Sequence, residues 1–262
     1  MNALSLALTA LVALCTAFAA LYLVASRINN YGIVDIAWSY AFGALAIFYA
    51  LAGPGWVGRR ALIAALAVAW SVRLGTHLWI RVMAHHPIED GRYQQLRHDW
   101  AANFTVKMVG FFQMQAASVV MLGVAFLIAS LNPTPHLHPL EIAGTLLWFV
   151  ALGGEALADA QLAVFKGDPA NRGQVCAIGL WRLSRHPNYF FEWLVWVAFF
   201  FFALASPGGW LAVIGPASIL FLLLRVTGIP MTEAQTLRTK GDAYRRYQQT
   251  TSAFVPWFPK NQ

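Results

Sequence analysis

The chain has 262 residues, of which 59% are hydrophobic and only 11% charged, with a net charge of +7. A soluble domain carries about 25% charged residues, so the composition excludes an ordinary water-soluble protein and points to lipid as the solvent. Cys15 lies in an apolar stretch and Cys176 in a polar one, which excludes a disulfide framework, and the positive charge is what cytoplasmic loops of membrane proteins supply, so no nucleic-acid partner is expected.

In chain order, seven apolar stretches are long enough to cross a hydrocarbon core of about 30 Å: 3–26, 32–52, 60–83, 104–131, 140–165, 188–205 and 209–228. The first is not preceded by basic residues and exceeds a signal-peptide core, so it reads as a spanning helix. Pro54, Pro133, Pro135, Pro207 and Pro230 punctuate the connections, and Pro216 is expected to kink the seventh span. A polar helix is expected over 231–249. The expected fold is all-α: one polytopic membrane domain over 1–262, without internal repeats, in the inner membrane if the source is a bacterium.

Orientation follows from the connections. Arg81, Arg92, Arg97 and Lys107 follow the third span, Lys166, Arg172, Arg182 and Arg185 the fifth, and Arg238, Lys240, Arg245, Arg246 and Lys260 the seventh. The connections after the fourth and sixth spans carry no Lys or Arg. The positive-inside rule then puts the N-terminus outside and the C-terminus in the cytoplasm. Arg59 and Arg60, after the second span, are the exception.

Ionisable groups within spans are costly and mark cavities or partners. Asp35 lies in the second span, Arg73 and His77 four apart in the third, Glu155 and Asp159 four apart in the fifth, Glu192 in the sixth and Arg225 late in the seventh. A spacing of four puts both members of a pair on one helix face. Internal salt bridging would explain any one of these groups, but the set clusters toward one leaflet. There it joins the basic loop from Lys166 to Arg185. Arginines suit phosphate, and carboxylates and amides suit ribose and amide edges, so the combination describes a nucleotide cofactor. No Gly-x-Gly-x-x-Gly opens a βαβ unit, so helices and loops would have to hold it. His85-His86 and His136-x-His138 lack further ligands, and no metal site is expected.

The most specific segment runs Gly179-Leu180-Trp181-Arg182-Leu183-Ser184-Arg185-His186-Pro187-Asn188-Tyr189-Phe190-Phe191-Glu192. With Glu89-Asp90-Gly91-Arg92-Tyr93-Gln94-Gln95-Leu96-Arg97 and the Glu155-x-x-x-Asp159 pair, it resembles the membrane superfamily of steroid 5α-reductases, sterol reductases and isoprenylcysteine carboxyl methyltransferases. The likeness is nearest to the bacterial 5α-reductase-like branch.

The resemblance implies an NADPH-dependent reductase of the 4,5 double bond of 3-oxo-Δ4 steroids, or of a related lipophilic enone entering from the bilayer, acting as a monomer. It implies that Glu155 and Asp159 contact polar parts of the cofactor and that Lys166, Arg172, Arg182 and Arg185 hold its phosphates. Asn188 would lie near the nicotinamide, with Trp181, His186, Tyr189 and Glu192 as neighbours, and Arg225 and Tyr244 would complete the pocket. The steroid enzymes pair an acid on the second helix with a Tyr on the third to polarise the substrate carbonyl. Asp35 fits the acid, but the third span offers only Trp70, Arg73 and His77. Desolvation disfavours charge, so Asp35 is expected to keep a proton it can donate, with Arg73 and His77 as alternative carbonyl partners. Two other readings stand beside this one: an S-adenosylmethionine-dependent methyltransferase using the same segment and Glu233, and a non-enzymatic lipid transporter.

Overall fold

A computed structural model describes residues 2–85 and 87–260. Among these residues the chain is all-α, with seven helices long and apolar enough to cross a membrane. The only pairing of extended backbone is an isolated parallel bridge, Ser184–Ser252. The protein is an integral, multi-pass membrane protein.

The chain divides into two compact units, one of Met1–Pro139 with Phe202–Ala212, the other of Leu140–Phe201 with Val213–Gln262. The first contains α1 (Ala3–Ile28), α2 (Ile33–Ala52), α3 (Val57–His85), the short α4 (Gly91–Asp99), α5 (Phe104–Leu122) and α6 (Val124–Leu131). The fourth span is therefore two helices, divided at Gly123, where a Cβ would come within 2.4 Å of Leu45.

Within this unit α2 packs chiefly on α3, and small residues make the approach possible. Ser39 and Gly43 on α2 face Ser71 and Gly75 on α3. Ser71 Oγ donates to Ser39 O at 2.6 Å and accepts from Gly43 N at 3.1 Å. A Cβ at Gly75 would meet the Tyr40 ring at 2.8 Å. Small residues four apart on both partners are how membrane helices bring their backbones close. Trp38 Nε1 donates to Ser118 Oγ and ties α2 to α5.

Arg59, which departs from the charge rule, is 1% exposed. Its guanidinium donates to the carbonyls of Asn132, Thr134 and His136 at 2.7–2.9 Å, and Arg60 donates to Ala50 O. These two arginines fasten backbone at the ends of α2 and α6.

The second unit contains α7 (Pro139–Gly167, from its second residue), the four-residue α8 (Leu180–Leu183), most of α9 (Pro187–Leu204), α10 (Ile214–Phe221), a π-helical turn (Leu222–Val226) and α11 (Ile229–Thr250). The apolar helix and its polar continuation form one candidate span, Gly209–Thr250, of 42 residues. At 1.5 Å per residue that is roughly twice the hydrocarbon thickness. The acidic and basic residues from Glu233 onward place α11 outside the crossing part. Pro216 does not kink a continuous helix: it sits in the first turn of α10, where its missing N–H is not needed, and its carbonyl accepts from Trp193 Nε1.

Candidate functional site

In the first unit the polar residues gather where α1 ends and α2 begins. Asn29 stops α1 in the left-handed conformation, φ 54°, with its N–H on Ala25 O, a cap that Asn tolerates. The connection that follows is held by the Glu89–Arg97 segment. Glu89, 8% exposed, accepts from Tyr31 N at 2.6 Å and from Arg97 Nε at 2.7 Å. Arg97 also donates to Asn29 Oδ1 and lies over the rings of Tyr31 and Phe104. Asp90 caps α4, accepting from the Arg92 backbone.

This frame aims α4 at Asp35. Arg92 donates to Asp35 Oδ2 at 2.8 Å, and the Tyr93 phenol donates to Asp35 Oδ1 at 2.8 Å. Tyr93 is 2% exposed, and its ring lies beside Gly32. Burial and then the Asp35 carboxylate push the phenol well above its ordinary range against the opposing Arg92 charge, so it carries its proton. The Asp35 carboxyl thus meets two partners from α4, one at each oxygen. Arg73 is half-buried and His77 exposed on α3.

In the second unit the Arg-His-Pro-Asn-Tyr segment is fixed from both sides. Gly179, φ 52°, turns the chain into α8 against Gln161, whose Oε1 accepts from Leu180 N. Trp181 is buried with Phe165 and Cys176, and its Nε1 donates to Ala158 O. Ser184 Oγ accepts from His186 N and donates to Phe254 O. Arg185 donates through Nε to Glu233 at 2.7 Å and through Nη1 to the carbonyls of Gln248 and Thr251.

Glu233 Oε1 also meets His186 Nε2 at 3.2 Å and Tyr244 OH at 3.3 Å, while Gln248 Nε2 donates to Oε2 at 2.8 Å. Burial alone would raise this carboxyl. The bonds from His186 and Arg185, the Arg185 charge and the Gln248 bond outweigh it and bring the group down to about 2. Tyr247 donates to the carbonyls of Trp181 and Ser184. Trp181, Arg185, His186 and Tyr244, expected at the cofactor, therefore direct their named polar atoms into an internal lock. Glu233, the candidate for methyl transfer, is its centre.

Past the lock, Pro187 starts α9 and delivers Asn188 to α7, where Asn188 Nδ2 donates to Asp159 Oδ1 at 3.2 Å. Asn188 Oδ1 is buried and has no hydrogen-bond partner among the described residues. Glu155 is buried one turn before Asp159, at 3% exposure. Tyr189 stacks on His186, with ring centroids 5.3 Å apart, and its hydroxyl reaches Thr232 Oγ1. Glu192 is half-buried one turn further along α9. Lys166, Arg172 and Arg182 are exposed, as is Arg225 in the π-helical turn. No group of three or more metal-ligating side chains occurs among the described residues, and His86 lies outside them.

The residues that the sequence reading left without a role are Arg92 and Tyr93. Both were visible in the Glu89–Arg97 motif. The sequence reading looked for a tyrosine on the third span, whereas the tyrosine that bonds Asp35 lies in the connection after it.

A family model described as "Protein of unknown function (DUF1295)" matches residues 21–251. No curated protein matches, and no solved structure does.

Proposed function

The chain belongs to the DUF1295 family, within the steroid 5α-reductase-like superfamily, and from that premise we propose that it is a membrane-embedded, NADPH-dependent reductase of a double bond conjugated to a carbonyl. The substrate class is a lipophilic enone, of which a 3-oxo-Δ4 steroid is the reference case.

The observation that carries this reading is the Tyr93–Asp35–Arg92 triad. Reduction of an enone needs a donor at the carbonyl oxygen, because negative charge develops there. A donor fixed in a dry site stabilises that charge most. The Tyr93 phenol turns from Asp35 toward the carbonyl, polarises it and gives its proton to the oxygen, and the enol so formed tautomerises to the saturated ketone. Arg92 stays on Asp35 and offsets the phenolate left behind, which regains a proton from water. Asp35 thus orients the donor, and Arg73 and His77 on α3 are candidates for lining the substrate.

The second unit has residues that fit the cofactor. Asn188 Oδ1 is an unpartnered acceptor of the kind a carboxamide N–H would satisfy. Asp159, which Asn188 Nδ2 bonds, with Glu155 one turn before it on α7 and Tyr189 and Glu192 on α9, would supply further polar contacts to the cofactor. Lys166 and Arg172 are exposed cations suited to phosphate, and Arg225 adds a third. NADPH, when bound, supplies the hydride. The sister reading, methyl transfer through Glu233, is weakened because Arg185, His186, Tyr244 and Gln248 already take up that carboxylate.

The test is to mix the detergent-purified protein with NADPH and progesterone and follow mass, with S-adenosylmethionine and a prenylated thiol in a parallel tube. A gain of two hydrogens that requires NADPH is expected. Tight NADPH binding without reduction would discard the steroid and keep the cofactor. Absence of NADPH binding would overturn the reading, and methyl transfer in the second tube would replace it.

A further inference from the structure

The segment after α11 has no part in the proposed reaction. It runs back beside α8 as a strap: Trp257 N donates to Leu183 O and Lys260 N to Thr250 O, each at 2.9 Å. The strap turns its largest apolar side chains outward, with Trp257 70% exposed and Phe258 79%. Beside it lies a groove of about 310 Å³ lined by Gly179, Arg182, Leu183, Phe258 and Pro259.

Arg182 is the cation of that groove, and Arg246 and Lys260 are exposed near the strap. No carboxylate among the described residues pairs with any of the three. The strap's depth is set by its bond to Leu183, because the crossing helix α9 begins only at Pro187. Aromatic rings at the mouth of a spanning helix settle at the headgroup level, and cations there attract anionic lipid.

We propose that this groove is a headgroup site for an anionic phospholipid. Arg182 takes the phosphate, Leu183 and Phe258 pack against the glycerol and upper acyl carbons, and Arg246 and Lys260 add attraction. The lining offers no side-chain carboxylate, amide or hydroxyl that would recognise a ribose, which separates it from the Asn188–Asp159 region. Neither argument depends on the reductase reading.

The experiment uses the full-length protein in mixed micelles with phosphatidylglycerol or phosphatidylcholine, with retained lipid counted by native mass spectrometry. The wild type is expected to retain phosphatidylglycerol in preference. Arg182→Gln should lower that preference about fivefold, and Phe258→Ala should weaken retention of both lipids. Arg27→Gln removes an equal charge from the last turn of α1 and should leave the preference intact. Equal loss in Arg27→Gln and Arg182→Gln would reduce the effect to net charge and overturn the site. Competitive displacement of phosphatidylglycerol by NADPH would also overturn it, by giving the groove to a nucleotide.

Discussion

Glu233 and Asp35 are both carboxylates paired with an arginine from a basic motif, yet their surroundings differ in kind. Glu233 accepts three bonds at Oε1, from Arg185, His186 and Tyr244, and one at Oε2, from Gln248. Asp35 accepts one bond at each oxygen, from Arg92 and from the Tyr93 phenol, the donor that the proposed reaction would redirect. A carboxylate bonded from four side chains holds the segments that carry them together. One that shares a movable proton can take part in chemistry. The motif at Arg185 thus ties its segment to α11, while the motif at Arg92 meets the carboxylate that the proposed reaction would use.

The largest effect should come from the movable proton. Tyr93→Phe is expected to lower turnover of an enone by about 10²–10⁴-fold, the range for loss of a positioned proton donor. NADPH affinity and thermal midpoint should stay near wild type. Turnover that survives would move the donor elsewhere and dissolve the contrast with Glu233. Glu233→Ala should do the opposite. Leaving the mostly buried Arg185 without its partner costs about 3–5 kcal/mol, seen as a lower unfolding midpoint in detergent. An unchanged midpoint would show that the lock is not scaffold. The smallest effect sharpens the frame beneath Asp35: Ser71→Ala loses the bonds to Gly43 N and Ser39 O and should cost about 1 kcal/mol, with unaltered turnover in the folded fraction.

The spans were legible because hydropathy and helix breakers are local. The expected 32–52 is observed as Ile33–Ala52, and 188–205 as Pro187–Leu204. The division at Gly123 escaped notice because Leu45, far away in sequence, decides it. At the site, Asn188 and Asp159 were expected at one membrane face, but their direct bond was not, because it depends on how α9 packs on α7. Arg185 and Tyr244 carried a signal that fitted two roles, phosphate binding or internal pairing, and only the position of Glu233 separates them. Tyr93 was missed because α4 was read as loop, and a side chain on a short helix cannot be aimed from spacing alone. Arg59 was counted as a loop cation, although three backbone carbonyls across the fold absorb its charge.

The close approach of α2 and α3 has a mechanical consequence. Two helices joined through Ser71 at Gly43 and Ser39, with the Tyr40 ring lying over Gly75, have no layer of large side chains on which to slide. They behave as one stiff plank, and Asp35 rides at its end. By contrast, α1 turns most of its apolar window outward, with 17% of it buried. For a lipophilic substrate of the proposed reductase, the plank would be the fixed wall that carries Asp35.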